Sequence, residues 1–329
     1  MNSLKGNTRP HKYRNQIPTS MNIGLSNSAS LIRDYIKGNP KSKPSSTLAI
    51  QQIDTRVLEH HDQTNITWLG HSAVLLRIGG KNVLIDPMLS NKVLPFPFIG
   101  GKRFSGKPPI EISAIPEMDV ILITHNHYDH LNRESIMQLK EKTHQFIVPE
   151  GVASYLVNWG VEHYKIQEMS WGEECGMASL KIACTPARHF SGRNICDRDR
   201  SLWCSYVIAS EHSKVFFSGD SGYAPHFTDI GNQYGPFDVT LMECGQYDRR
   251  WSAIHMMPEE TVQAHMDLRG KLLIPIHWGA FTLSLHDWNE PVERAVVAAQ
   301  EKQVQIATPM MGETVIIGAD TYPTATWWK

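Results

Sequence analysis

His125, His127, Asp129 and His130 fall within six residues, directly after the apolar run Val120-Ile121-Leu122-Ile123-Thr124. Neutral imidazole and carboxylate are donors that suit Zn, Mn or Fe. Two histidines spaced two apart on an extended backbone can aim at one point. Asp129 and His130, at the start of the helix that follows, can aim at a point beside it. So many donors crowd a single ion, and two adjacent ions relieve the crowding. The plain alternative is a histidine-rich surface loop, and the rest of the chain argues against it.

The elements that must position these groups are legible from pattern. Val120–Thr124 reads as a buried strand. Leu131, Ile136, Met137 and Leu139 then recur at helical spacing, with Asn132 and Glu134 expected on the wet side. The arrangement of strand and then ligand repeats. Leu180–Arg188 leads to His189, Lys214–Gly219 to Asp220, and Leu272–Ile276 to His277. In sheets covered by helices, binding residues gather beyond the carboxyl ends of the strands. One ion can then be assembled from His125, His127 and His189 and the other from Asp129, His130 and His277, with Asp220 bridging. A water shared by two divalent ions is deprotonated near neutral pH, and the same ions polarise a phosphoryl or carbonyl oxygen. Asp129 and Asp220 fix that hydroxide and complete the coordination. Zn2+ is the favoured metal, with Mn2+ or Fe also compatible with the donors.

Other residues carry two readings each. His255 is a phosphate contact or general acid, or a helix-start histidine beside Pro258-Glu259-Glu260. Tyr128 donates its hydroxyl to a substrate oxygen or packs in the core. Trp251, Trp278 and Phe281 shape the pocket wall or are ordinary aromatic packing. Ile66–Leu69, Ala73–Ile78 and Val83–Asp86 read as strands, the last two joined by a turn at Gly79-Gly80. His71 and Asp86, at strand ends, read as supports more than ligands. The loop 87–109 is broken by prolines and glycines. Its apolar tip, Leu94–Gly101, packs on the domain, lines a substrate entrance or touches lipid.

The chain of 329 residues has a net charge of −1, distributed unevenly. Residues 1–46 carry eight Lys/Arg against one acidic residue, which leaves −8 for the remainder. We read 1–46 as a polar, basic extension, partly disordered at its start, and 47–329 as the catalytic domain. Within the extension, Leu31, Ile32, Tyr35 and Ile36 could make one short amphipathic turn. The acidic balance of 47–329 offers no basic track for nucleic acid. Five cysteines in no C-x-x-C pair point to reduced thiols. With no signal-like start and no run of spanning length, the expected location is cytoplasmic, with peripheral membrane contact through the apolar loop left open.

The stretch T-H-N-H-Y-D-H-L resembles the H-x-H-x-D-H signature of the metallo-β-lactamase superfamily, and His189, Asp220 and His277 match its later ligands in order. The resemblance implies an α/β fold of the αββα type: two mixed β-sheets flanked by helices, with the metals at one edge. More narrowly, W-L-G-H-S-A, I-D-P, G-K-R-F, F-F-S-G-D-S-G-Y, G-P-F-D, P-E-E-T-V and I-H-W-G-A-F resemble the N-acyl-phosphatidylethanolamine phospholipase D branch and its bacterial relatives. In that branch the residues matching Tyr128 and His255 contact the substrate phosphate. The chain departs from the branch at Glu243, where an uncharged residue is usual, and in its N-terminal segment. The β-lactamases proper carry a cysteine where this chain has Asp220. The implied activity is a phosphodiesterase acting on a phospholipid-like or other small-molecule diester. A lactone or carboxylic-ester hydrolase and a non-catalytic metal-binding regulator are the alternatives. Oligomeric state is not readable.

Overall fold

The computed structural model describes residues 12–20, 25–53, 63–94, 101–177, 179–194 and 196–329. The first eleven residues of the basic extension and the loop tip at 95–100 lie outside these, so the readings made of them have no structural counterpart here.

A helix, α1 (Leu25–Lys37), precedes the strands β1 (Asn65–Trp68), β2 (Val74–Ile78) and β3 (Lys81–Ile85). These three form an antiparallel meander, with Thr67 opposite Leu75 and Leu76 opposite Val83. The positive-φ pair Gly79-Gly80 makes the second turn. β4 (Met118–Leu122), β5 (Thr143–Pro149) and β6 (Ile166–Met169) then add parallel to β3, with helices α2 (Arg133–Leu139) and α3 (Ala153–Asn158) as crossovers. The second sheet opens antiparallel with β7 (Glu174–Met177), β8 (Leu180–Thr185), β9 (Ser205–Ala209) and β10 (Lys214–Phe217). It continues parallel through β11 (Phe237–Glu243), β12 (Gly270–Ile276) and β13 (Gln305–Ile306), with α4 (His226–Tyr234), α5 (Pro258–Asp267) and α6 (Glu290–Glu301) between them. The last strand, β14 (Thr314–Ile316), returns to pair with β1. Each sheet therefore has seven strands, ordered β14-β1-β2-β3-β4-β5-β6 and β13-β12-β11-β10-β9-β8-β7.

Alternation along the strands builds the layers. In β4, Val120 and Leu122 point inward and meet Ile182, Tyr206, Val215 and Val239 of the other sheet in one buried cluster. Ile121 points the other way and packs with Ile136, Leu139 and Leu156 under α2 and α3. On the second sheet Phe216, Phe237 and Leu273 do the same beneath α4, α5 and α6, against Phe227, Val262 and Ala298. The layers are helix, sheet, sheet, helix.

The start of α2 differs from the pattern reading. Met137 is exposed, while Asn132 is buried. Its Oδ1 accepts from Ser135 N at 2.9 Å, so Asn132 caps the helix instead of facing water. The helix begins at Arg133, so Asp129 and His130 sit in the turn before it. α1 is a full 13-residue helix and not a single turn, and it ends at Gly38. Its apolar residues Ile32, Tyr35 and Ile36 are 60%, 78% and 80% exposed, so they do not pack on the body. Polar contacts fasten the helix instead: Arg250 Nη1 donates to Asp34 Oδ2 at 3.0 Å and to Ser30 Oγ at 3.2 Å. All five cysteines are free.

Candidate metal centre

The carboxyl ends of β3, β4, β8, β10 and β12 open at one edge of the sandwich, and the ligand-type residues follow within a few residues of each. Holding them there takes unusual backbone. His71, Asp86, Gln246 and His277 all adopt positive φ, a conformation that persists in non-glycine residues only when the surroundings impose it. Gly219 also has positive φ, and a Cβ there would lie 2.6 Å from the Cys204 carbonyl oxygen, so glycine is required just before Asp220.

Two groups of side chains converge. In one, His125 Nε2 is 2.9 Å from His127 Nδ1, and His189 Nε2 is 3.2 Å from the same nitrogen. Asp220 Oδ2 stands 3.7 Å from His125 Nε2 and 3.8 Å from His189 Nε2. In the other, Asp129, His130 and His277 come together with His71. Asp220 faces this group too, 3.2 Å from His130 Nε2 through Oδ2 and 3.2 Å from His277 Nδ1 through Oδ1. Asp220 therefore lies between the groups. Each group has its donor atoms within 4.8 Å of one another.

The donors fit divalent ions on two counts. His130 Nε2 and Asp220 Oδ1 are buried without a hydrogen-bond partner, as is His71 Nδ1, and buried polar atoms are rarely left so. Burial also keeps every imidazole in the two groups except that of His130 in the neutral, ligating form. Burial pushes His127 down to about 4, and pushes His125, His189 and His277 well below the ordinary histidine value. His130 differs: burial opposes its charge, but Asp220, Asp129 and Asp86 around it hold it well above the ordinary value. Burial alone would raise the carboxyls of Asp129 and Asp220, yet His130 holds both well below theirs, with His277 adding to the pull on Asp220.

A further ring of contacts orients the donors. Asp86 Oδ2 is 2.7 Å from His130 Nδ1 and accepts from Thr124 Oγ1 at 2.6 Å, while Oδ1 accepts from Thr124 N at 2.8 Å. His71 Nε2 is 2.9 Å from Asp129 Oδ2, Ser72 Oγ is 2.8 Å from His277 Nδ1, and His189 Nδ1 donates to the Ile254 carbonyl at 2.9 Å. Ser72 stands in the W-L-G-H-S-A motif, but neither it nor Ile254 is marked by sequence for these partners. Their contacts arise from chain segments far apart in order.

Beside the cluster lies an open cavity of about 230 Å³ with His127, Asp129, His189, Asp220, His255 and His277 in its wall, together with Phe190, Trp251, Ile254 and Leu283. His255 Nδ1 is 2.9 Å from Glu243 Oε2. Burial disfavours charge on His255, but the Glu243 carboxylate more than compensates and brings it to about 9. Burial in turn pushes Glu243 up to about 7, against the pull of His255. Of the aromatics, Trp251 lines this cavity. Trp278 is buried in the core, stacked on Trp68 at 5.3 Å, and Phe281 sits edge-on to His71 at 5.5 Å, so neither forms the wall. Tyr128 turns away into a neighbouring cavity of about 790 Å³. There its hydroxyl donates to the Arg193 carbonyl at 3.2 Å, and the Arg193 guanidinium covers its ring at 3.8 Å.

Two mixed sheets with helices outside, and histidines and carboxylates gathered at one edge, define the class of proteins built on the metallo-β-lactamase sandwich. The chain belongs to the beta-lactamase superfamily, whose domain model matches residues 81–278. An uncharacterised protein of Mycobacterium tuberculosis is 41% identical over 254 residues, which are 76% of this chain and 68% of that protein. The N-acyl-phosphatidylethanolamine-hydrolyzing phospholipase D 1 of Caenorhabditis elegans is 29% identical over 285 residues, covering 82% of this chain and 80% of that one. Among solved structures, an isothiocyanate hydrolase from Delia radicum gut bacteria aligns with a TM-score of 0.63 at 19% identity, over 78% of this chain and 100% of the other, a likeness of fold.

Proposed function

We propose that the chain is a two-metal hydrolase that cleaves phosphodiesters of a phospholipid-like or comparable small-molecule kind. The observation that carries the metal part is Asp220, whose carboxylate faces both groups of histidines at 3.2–3.8 Å. On this reading His125, His127 and His189 hold one ion, Asp129, His130 and His277 hold the other, and Asp220 is shared. Ions seated there would polarise a substrate oxygen and lower the pKa of water. Zinc is the metal we favour for this donor set.

The residues of the chain do the rest. Asp86, His71 and Ser72 fix the rings and carboxylates that face the ions. His255 lines the same cavity with Nδ1 committed to Glu243, which leaves Nε2 for a phosphoryl oxygen or a departing alkoxide. A cationic donor in the wall suits an anionic diester better than a neutral lactone, and the similarity to the phospholipase supports the same choice. Tyr128, with its hydroxyl bound to Arg193 O, serves that neighbouring cavity more directly than the metal pocket. No described helix is long and apolar enough to cross a membrane, and any lipid contact falls to surface segments.

The test is a hydrolysis panel on zinc-reconstituted protein. Turnover of bis-p-nitrophenyl phosphate with little activity on lactones is expected. Cleavage of lactones with every phosphodiester left intact would overturn the choice of substrate. Zinc binding with no turnover of either class would favour the regulatory alternative.

A further inference from the structure

We infer that Asn15 is a positioning residue for His189, and that the N-terminal segment around it is a strap on which one of the two ions depends; the inference rests on the metal reading above. β8 ends at Thr185 and β9 begins at Ser205, and the 19 residues between them contain no described helix or strand. His189 lies in this connection yet is only 1% exposed, so its backbone N–H and C=O need partners that no strand ladder supplies. Both partners come from one side chain. Asn15 Nδ2 donates to His189 O at 2.8 Å, and His189 N donates to Asn15 Oδ1 at 3.1 Å.

A carboxamide offers a donor and an acceptor side by side, so it can stand in for a neighbouring strand. Trp203 Nε1 also donates to Asn15 Oδ1, at 3.0 Å, which settles which way round the amide lies. Contacts on either side hold the segment down. Tyr13 N donates to Asp199 O at 2.9 Å, while Arg188 donates to Thr19 Oγ1 at 3.1 Å and to Pro18 O at 3.2 Å. The His189 ring is anchored independently by the Ile254 carbonyl through Nδ1. With Nδ1 fixed on Ile254, the position of Nε2 in the cluster follows the His189 backbone, whose own N–H and C=O Asn15 holds while Ser221 and Gly222 hold Arg188 beside it.

The consequence is selective. The His125, His127 and His189 group loses a correctly placed donor when Asn15 is removed, whereas none of the contacts of residues 12–20 described above reaches Asp129, His130 or His277. Loss of a residue that orients a metal ligand lowers metal affinity by about 10–100-fold.

The experiment is a zinc(II) titration of the metal-stripped full chain against a chromophoric chelator, comparing wild type with Asn15→Ala, Asn15→Asp and, as a control at an exposed position of the same segment, Gln16→Ala. Asn15→Asp keeps the acceptor for His189 N and Trp203 Nε1 but sets a carboxylate oxygen against His189 O in place of the donor, so it remains informative should Asn15→Ala fail to fold. Two equivalents are expected in wild type. In both Asn15 variants one of them weakens at least about tenfold and the other changes less than about threefold, while Gln16→Ala resembles wild type. Unchanged affinity in both Asn15 variants, or equal weakening of both equivalents, overturns the role of Asn15 and leaves the metal reading standing. A wild-type chain that binds no zinc overturns the metal reading itself, and the inference with it.

Discussion

His255 Nδ1 lies 2.9 Å from Glu243 Oε2, and the other oxygen of that carboxylate accepts from the backbone of Met256 at 2.9 Å and Ser221 at 3.2 Å. Glu243 sits at the end of β11 and is completely buried, so its orientation is set by the sheet and passed to the imidazole. If His255 serves substrate and not metal, His255→Ala lowers kcat for bis-p-nitrophenyl phosphate by about 100-fold or more, with zinc content unchanged. Glu243→Gln, which keeps the shape but loses the charge, falls between wild type and His255→Ala. Loss of zinc in His255→Ala would reassign His255 as a ligand, a possibility its proximity to Asp220 and His277 makes concrete.

Asp220 faces both donor groups, whereas His127 faces only the first. Elemental analysis of zinc-loaded protein should give about two equivalents per chain. His127→Ala should retain about one, and Asp220→Ala fewer than His127→Ala, because both ions lose the shared carboxylate. Both variants lose turnover. A His127→Ala protein that keeps two equivalents at wild-type affinity would remove His127 from the ligand set.

Asp86 supports the centre without facing the metal cavity. It is completely buried and satisfies Thr124 N, Thr124 Oγ1 and His130 Nδ1 at 2.6–2.8 Å. Breaking a buried, hydrogen-bonded charge pair by deleting one partner costs about 3–5 kcal/mol. Urea unfolding of the metal-free chain should therefore show Asp86→Ala destabilised by that order, with Asp86→Asn less affected. A change below about 0.5 kcal/mol, the usual range for an unremarkable surface site, would show that these contacts are not formed.

Much of this architecture was legible because its signals are local. The apolar run Val120–Thr124 and the Gly79-Gly80 turn mark strand and hairpin, and a ligand pair such as His125 and His127 announces itself by spacing. His189, Asp220 and His277 each follow an apolar strand, which is the general geometry of sites at strand ends. What pattern could not supply is contact between distant segments. The union of Asn15 with His189 spans 174 positions, and that of Ser72 with His277 spans 205. Asn132 was read as wet because it is polar, but a capping asparagine can be buried when its hydrogen bonds are made. Trp278 and Phe281 were open between pocket and core, and only packing decides that. The exposed apolar side of α1 shows the same limit, since periodicity marks a face without saying what covers it.

Two buried histidines outside the ligand set place an acid limit on the fold. Burial pushes His226 down to about 3 and His265 down to about 4, and His265 Nδ1 is fixed 2.7 Å from Thr240 Oγ1. A folded value below the ordinary 6.5 means that the unfolded chain takes up protons the folded chain refuses. Each group's stabilising contribution is therefore fully present above about pH 6.5 and is lost as the pH falls toward the folded value, at up to about 1.4 kcal/mol per pH unit. Urea midpoints of the metal-free chain, measured from pH 7 down to pH 5, should fall steadily. His265→Gln should flatten the slope by as much as one group's share, after a constant offset from the altered packing. Other buried histidines add to the wild-type slope, so the informative quantity is the difference between the two proteins. An identical slope in wild type and His265→Gln would mean that His265 is not held neutral by its burial.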